Sequence, residues 1–149
     1  MSEIRPSREE IYMAIARVMA ERSVCKRLSV GVVAVKDRRI IATGYNGPLT
    51  PVKDAKCSCI GDQPCQASIH AEANLVAFAA KHGINLSGST IYTSHSPCVK
   101  CQELLIQSGV SEIIYGYDYR DLNKDLLDLT GVTYRKYEGR TIQISFNDR

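Results

Sequence analysis

The chain has 149 residues, of which 44% are hydrophobic and 23% charged, a composition typical of a globular protein with one buried core. Its formal net charge of +3 is spread along the sequence, so it permits an anionic substrate but does not indicate nucleic-acid binding. No apolar run approaches the roughly 20 residues of a membrane-spanning helix, and residues 1–6 lack the apolar core of a signal peptide. We therefore expect a single cytoplasmic domain over residues 1–149.

The N-terminal third predicts a helix followed by a β-hairpin. Ser7-Arg8-Glu9-Glu10 fits a helix-capping box, and apolar residues then recur at helical spacing, which predicts a helix over residues 8–22. Residues 30–35 and 40–45 are apolar and β-branched, with a turn between them, which predicts two paired strands. Asn46-Gly47-Pro48 is a strong turn signal that ends the second strand.

The rest of the chain predicts alternating helices and strands after a long loop. Residues 50–68 lack periodicity and carry three cysteines, and a loop of that length is usually functional or held by a ligand. The helices predicted beyond it cover 70–82, Pro97 to residue 108, and 122–129, and the strands between and after them cover 90–94, 112–116 and 132–137. Residues 138–149 are predicted to be a solvated tail, in which 142–146 form an edge strand or an oligomer contact. This order predicts a three-layer α/β/α fold, in which a mixed sheet of about five strands has helices on both faces.

Two short motifs, His70-Ala71-Glu72 and Pro97-Cys98-Val99-Lys100-Cys101, carry the chemistry predicted for this chain. Each lies at a predicted helix start. Cys98 and Cys101 are three residues apart and share one helix face, so both sulfurs can reach one ion. Two thiolates and the neutral imidazole of His70 are ligands that zinc prefers, and a three-ligand set leaves a position for the water that a catalytic site needs.

Glu72 is the predicted proton carrier of this site. It is two residues from His70, so its carboxylate should lie beside the ion without ligating it. There it can take a proton from the attacking water and pass it to a ring nitrogen and a leaving amine. The alternative is a closed structural zinc site with Glu72 on the surface of its helix. The combination of both motifs at helix starts favours the hydrolytic centre.

These motifs resemble those of the cytidine deaminase superfamily. Further stretches are similar to the deoxycytidylate (dCMP) deaminase family over nearly the whole chain: Cys25-x-Arg27 before Val30-Gly31, Gly44-Tyr45-Asn46-Gly47, Cys65-x-x-x-x-His70, Ser96-Pro97-Cys98, and residues 105–110 followed by 113–115. The resemblance implies a cytidine-deaminase-like fold and zinc-dependent hydrolysis of dCMP to dUMP and ammonia, a step that supplies thymidylate synthesis.

The resemblance also implies a set of substrate-binding residues. Asn46 is expected at the deoxyribose and Arg27 at the phosphate. Tyr119 or Arg120 is expected to close over the phosphate. The remaining members of the implied set are Ala71 and Ser94. Guanidinium groups match phosphate geometry, but the alternative is that both arginines are solvated surface residues.

Regulation and assembly are implied by the resemblance alone. Many members of the family are homohexamers, activated by dCTP with Mg²⁺ and inhibited by dTTP. The segment that resembles their effector-site motif is Gly44, Tyr45, Asn46 and Gly47. The alternative is that this segment is only a turn that ends a strand.

The chain has six cysteines, and a C-x-x-C beside an H-x-E without a signal peptide favours reduced thiolates on metal over disulfides. The resemblance implies a second, structural zinc that would order the long loop. Its ligands would be Cys25, Cys57, Cys59 and Cys65, although the Cys57-x-Cys59 spacing departs from the family pattern. The alternative is that these four are buried or free thiols.

Two rival functions share parts of the pattern. A tRNA adenosine deaminase would have the same zinc motifs and a matching asparagine. The modest charge and the cysteine-bearing loop argue against it, because so large a substrate calls for a broad basic surface. A non-catalytic zinc module that binds nucleotide or single-stranded DNA is the second rival. Glu72 argues against it, because a structural metal needs no neighbouring base.

Overall fold

The computed structural model describes residues 4–49 and 68–145. The helices and strands of these two ranges, in chain order, are α1 (Arg8–Ala20), β1 (Gly31–Lys36), β2 (Arg39–Tyr45), β3 (Gly47–Pro48), β4 (Ser68–Ile69), α2 (Ala71–His82), β5 (Thr90–His95), α3 (Val99–Gln107), β6 (Glu112–Tyr117), α4 (Lys124–Thr130) and β7 (Thr133–Lys136). None of these helices combines the length and hydrophobicity that a membrane-spanning segment requires.

The main sheet has five strands in the order β2-β1-β5-β6-β7. β1 is antiparallel to both β2 and β5, whereas β5, β6 and β7 are parallel. The short strands β3 and β4 pair separately. The predicted hairpin and the predicted mixed five-stranded sheet are therefore confirmed.

Side chains alternate across the sheet and divide the core into two layers. Val33 and Val35 of β1 face α1, where Met13 and Ala16 are buried. The alternate residues of β1 belong to the other layer, in which the buried side chains of the remaining helices are Leu75, Ala79, Leu105 and Leu127. Helices thus cover both faces, which confirms the three-layer prediction.

Two glycines allow helices to lie unusually close to the strands that border the site. A Cβ atom on Gly31 would come 1.9 Å from the carbonyl oxygen of Ala16 in α1. A Cβ atom on Gly44 would come 2.6 Å from the carbonyl oxygen of Ala71 in α2. Both approaches need glycine, because backbone atoms cannot move aside as the end of a flexible side chain can. The start of α2 is consequently held against the end of β2.

Three sequence-based expectations about elements are wrong. Pro97 was expected at the first helical position, but Cys98 is the N-cap of α3 and Pro97 precedes it. The helix expected from residue 122 begins at Lys124, because the Asn123 side chain caps it by accepting from the Leu126 N–H. Residues 142–145 are not a strand, whereas the alternative of an oligomer contact stays a prediction.

The chain after β7 turns towards α1 instead of extending the sheet. The Arg140 guanidinium donates to both carboxylate oxygens of Glu10, at 2.8 and 3.2 Å. Thr141 accepts from Arg17 at 3.4 Å. These contacts hold the tail beside α1 and away from the edge of β7, which explains why its alternating pattern does not produce a strand.

We expect the Glu10–Arg140 pair to make stability depend on acid pH. Hydrogen bonding from Arg140, with that of the Ser7 N–H, lowers the pKa of Glu10 from 4.5 to about 2. A lowered pKa means that the pair stabilises the fold above pH 4.5 and loses its effect as the pH falls towards 2. Glu10→Gln should keep the capping box and lower the melting temperature by a few degrees at pH 7. Melting curves of both proteins should converge at low pH; a constant difference would contradict the assignment.

Candidate active site

The two predicted motifs meet at one edge of the sheet, near the carboxyl ends of β5 and β6. His70 is the N-cap of α2, and Cys98 is the N-cap of α3. Cys101 lies in the first turn of α3 and is 2% exposed. In α/β sheets, ligands usually bind outside the carboxyl ends of parallel strands. The chain therefore brings its candidate metal ligands to the edge where a site is expected.

The ligand atoms of His70, Cys98 and Cys101 all lie within 4.8 Å of one another. His70 Nδ1 is 3.5 Å from the sulfur of Cys98 and 3.5 Å from that of Cys101. Zinc bonds of about 2.1 Å to nitrogen and about 2.3 Å to sulfur, at a tetrahedral angle, separate the nitrogen from the sulfur by about 3.6 Å, close to the distances found here. The three residues thus have the identity and spacing of a zinc ligand set.

The electrostatics of the site also fit a cation. Burial raises the pKa of the Cys101 thiol, and the neighbouring Glu72 and Cys98 raise it further. Burial also raises the pKa of Glu72, against the opposing effect of hydrogen bonds and of His70. Three groups that can become anions therefore lie close together, with Glu72 and Cys101 buried and Cys98 half-buried. A divalent cation would compensate their mutual repulsion and favour the thiolates.

Glu72 lies beneath the ligand set and is not a surface residue. It is in the first turn of α2 and 4% exposed. The hydroxyl of Thr93, fully buried in β5, lies 3.3 Å from Glu72 Oε1 and 2.9 Å from the carbonyl oxygen of His95. The alternative of a solvated Glu72 is therefore wrong. The sequence analysis missed Thr93. The only signal in the sequence is that Thr93 is polar although it shares a strand face with the core residue Ile91.

A cavity of about 420 Å³ opens above Glu72. The candidate metal ligands His70 and Cys98 line it, together with Ala71 and Glu72. The other lining residues are Cys25, Arg27, Leu28, Val30, Asn46, Ser68, His95, Ser96, Pro97, Val99, Tyr119, Arg120 and Asp121. This volume is in the usual range for a small-molecule site.

Comparison with known proteins decides the family. The model of the cytidine and deoxycytidylate deaminase zinc-binding region matches residues 6–117. The chain belongs to the cytidine and deoxycytidylate deaminase family. The sequence-based assignment is therefore confirmed, and the chain is a deaminase of a zinc-binding family.

Individual relatives agree with this assignment. The deaminase is 37% identical over 139 residues to ComE operon protein 2 of Bacillus subtilis. The matched region covers 90% of this chain and 73% of the relative. It is 36% identical over 127 residues to the deoxycytidylate deaminase of Mycobacterium phage D29, covering 74% of this chain and 95% of the relative. The crystal structure of dCMP deaminase from cyanophage S-TIM5, in complex with dCMP and dUMP, is similar with a TM-score of 0.81 and 32% identity over 91% of this chain and 100% of that one.

Two arginines, Arg27 and Arg120, line the deaminase cavity. Arg27 Nη2 and Arg120 Nη2 each donate to the phenolic oxygen of Tyr119 at 3.2 Å. The Arg120 guanidinium also lies 4.6 Å from the centre of the Tyr119 ring. Within residues 4–49 and 68–145, neither arginine has a carboxylate partner. Two guanidinium groups without a carboxylate partner in these ranges can attract an anion. Both side chains are exposed, so the alternative prediction of solvated surface arginines is not contradicted.

Two other expected substrate residues have structural partners. Asn46 lines the cavity, yet its side chain accepts from the Val30 N–H at 2.8 Å and donates to the Leu28 carbonyl at 2.8 Å. It therefore holds the segment before β1, with one amide hydrogen and one lone pair to spare. Ser94 is not among the cavity-lining residues. Its hydroxyl accepts from the Gly31 N–H at 3.1 Å and lies 2.9 Å from His95 Nδ1.

The predicted effector segment ends β2 and enters β3. Gly44 is required by the close approach of α2. The Tyr45 carbonyl accepts from Asn74 of α2 at 2.9 Å, and the Tyr45 ring lies 5.9 Å from the Arg22 guanidinium. Gly47 pairs with Ile69. Packing and hydrogen bonding therefore account for the residue types of this segment, and no effector is needed to explain them.

Only one of the four expected ligands of the second zinc lies within the described residues. Cys57, Cys59 and Cys65 lie outside the described residues. Cys25 is half-buried and lines the cavity. The second zinc stays a prediction.

Proposed function

We propose that this deaminase hydrolyses dCMP to dUMP and ammonia. The observation that carries the proposal is the mixed lining of one cavity: His70, Cys98 and the buried carboxylate of Glu72 border the same space as two guanidinium groups. A pyrimidine nucleotide offers a group for each set, because it has both an amidine carbon and a phosphate. The cyanophage enzyme of similar structure, in complex with dCMP and dUMP, supports the choice of nucleotide.

His70, Cys98 and Cys101 would hold the metal ion of this mechanism. Zinc, when bound, supplies the Lewis acidity that makes a water molecule nucleophilic near neutral pH. Glu72 takes one proton from the attacking water and delivers it to N3 of cytosine. It then takes the remaining proton from the hydroxyl group added at C4 and delivers it to the leaving amine, so that water and dCMP give dUMP and ammonia. Burial suits Glu72 to this task, because a carboxyl with a raised pKa can hold a proton as well as accept one.

Arg27, Tyr119 and Arg120 bind the phosphate in this proposal. The two guanidinium groups supply charge, and the phenol, which accepts from both, can donate its own proton to a phosphate oxygen. Asn46 has a spare amide hydrogen for the deoxyribose, and Ala71 forms part of the wall beside the base.

The substrate is tested by offering cytidine, dCMP, CMP, dCTP and a tRNA anticodon stem separately and measuring ammonia release. We expect dCMP to be turned over most efficiently. Turnover of the tRNA stem but not of dCMP would contradict the proposal in favour of the tRNA deaminase. Nucleotide binding without ammonia release would favour the non-catalytic module.

Removing the phosphate contacts should weaken dCMP binding selectively. We expect Arg27→Ala and Arg120→Ala each to raise KM for dCMP by about tenfold to a hundredfold, the usual effect of losing a charge-assisted hydrogen bond. The exposed Arg8 of α1 offers a matched control, and Arg8→Ala should leave KM unchanged. Unchanged KM in both cavity variants would exclude this phosphate site.

Regulation by dCTP with Mg²⁺ and by dTTP, and assembly into a homohexamer, belong to the same proposal. Their support is the family motif over residues 44–47, for which packing is an alternative explanation. Saturation curves for dCMP should shift in opposite directions with the two triphosphates. Curves that do not respond to either would remove the regulatory part of the proposal and leave the catalytic part intact. A cytoplasmic location stays a sequence-based prediction.

A further inference from the structure

Residues 118–123 form a loop between β6 and α4, and this loop carries Tyr119 and Arg120. We propose that Ser96 and Gln102 are positioning residues that fix this loop relative to the zinc ligands and thereby select nucleotides with a 5′-phosphate over nucleosides. The inference rests on the proposed function and extends it to residues that do not bind the phosphate themselves.

The Ser96 hydroxyl uses all of its hydrogen-bonding capacity on the loop. It donates to the Arg120 carbonyl at 2.7 Å and accepts from the N–H groups of Tyr119 and Arg120, each at 2.8 Å. Ser96 is 3% exposed, so water does not replace these partners readily. A serine hydroxyl has one proton and two lone pairs, and all three are engaged with the two residues proposed to bind phosphate.

Gln102 provides a second attachment on the helix that carries the cysteine ligands. It follows Cys101 directly and is fully buried. Its Nε2 donates to the Pro97 carbonyl at 2.8 Å and to the Asp121 carbonyl at 3.3 Å. Its Oε1 accepts from the Asn123 N–H at 2.9 Å. One side chain therefore connects the residue before the N-cap of α3 with the loop.

These two attachments fix the position of the loop relative to the zinc ligand set. The loop is neither helix nor strand, so its position depends on side-chain contacts of this kind. Ser96 precedes Pro97 and Cys98, and Gln102 follows Cys101, so both attachments begin next to a zinc ligand. If the loop moves, the phosphate contacts move with it, whereas the base and the reacting carbon keep their contacts with α2 and α3. Loss of either attachment should therefore penalise dCMP more than deoxycytidine.

The test compares dCMP with deoxycytidine in Ser96→Ala and Gln102→Met. We expect kcat/KM for dCMP to fall at least about tenfold, and that for deoxycytidine to change less than about threefold, because only the phosphate contacts are displaced. Binding of dUMP, measured by calorimetry, should weaken in parallel, while binding of deoxyuridine and the zinc content per chain stay the same. Ser96→Thr, which keeps the hydroxyl, should recover most of the dCMP preference.

Ser89→Ala is the matched control. Ser89 is fully buried at the opposite end of β5, and its hydroxyl has no hydrogen-bond partner within the described parts of the chain. Equal losses for dCMP and deoxycytidine, or an unchanged ratio, would overturn the positioning role while leaving the proposed function in place. A wild type that does not turn over dCMP would instead overturn the proposed function and this inference together. If Ser96→Ala does not fold, the ratio in Gln102→Met decides.

Discussion

Glu72→Gln should lower kcat for dCMP by about 10²–10⁴-fold while zinc stays bound, because proton transfer by a positioned side chain contributes an acceleration of that size. The amide keeps the shape of the carboxyl group and can still contact Thr93, so the fold and the ligand set should persist. It can neither take a proton from water nor deliver one to the leaving amine. Single-turnover measurements of ammonia release, beside metal analysis of the same sample, separate the chemical step from metal loss.

Glu103→Gln is the control for this experiment. Glu103 lies on α3, where its exposed carboxylate pairs with Lys100 at 3.1 Å. The substitution removes one carboxylate charge without touching the cavity, so kcat should be unchanged. If Glu72→Gln retained full activity, or if its loss of activity followed a loss of zinc, Glu72 would not be the proton carrier.

Cys101→Ala should remove zinc and activity together. Cys101 is the buried sulfur of the ligand set, 3.5 Å from His70 Nδ1, and two remaining ligands cannot hold the ion against water. We expect zinc content and dCMP turnover at background, with a lower melting temperature, because bound metal stabilises the folded state. The wild type treated with a chelator should behave in the same way and recover when zinc is restored.

Ser108→Ala provides a control on the same helix. Ser108 is the C-cap of α3, and its exposed hydroxyl donates to the Leu104 carbonyl at 2.7 Å. Zinc content and turnover should both be unaffected. A Cys101→Ala protein that kept one zinc per chain and normal turnover would exclude His70, Cys98 and Cys101 as the catalytic set.

The candidate metal ligands and the order of elements could be predicted because both depend on short-range sequence patterns. Cys98 and Cys101 are one helical turn apart, and the continuous apolar run of β1 indicates a strand that is buried on both faces. The parallel half of the sheet then follows from the rule that helices connect parallel strands. Local pattern was therefore enough to predict which residues converge near the carboxyl end of β5.

The supports of the site could not be predicted, because their partners are far away in sequence. The partner of Thr93 is 21 residues away, and Gln102 reaches Asn123, also 21 residues away. Asn46 was expected at the deoxyribose and in the effector segment, but its amide also joins the end of β2 to the segment before β1. The strand predicted over residues 142–145 is absent for the same reason. The position of this segment depends on the contact between Arg140 and Glu10, which are 130 residues apart.

The caps of the four described helices have a consequence for conformational dynamics. Ser7 and Asn123 satisfy backbone N–H groups of α1 and α4, whereas His70 and Cys98, at the same position in α2 and α3, make no such bond. The latter two side chains face the metal position instead, so an ion would have to keep those first turns from fraying. Deuterium uptake at residues 71–73 and 99–101 should accordingly rise in a chelator, whereas uptake at the start of α1 should be unchanged. Binding of the ion would then also make the first turns of α2 and α3 rigid.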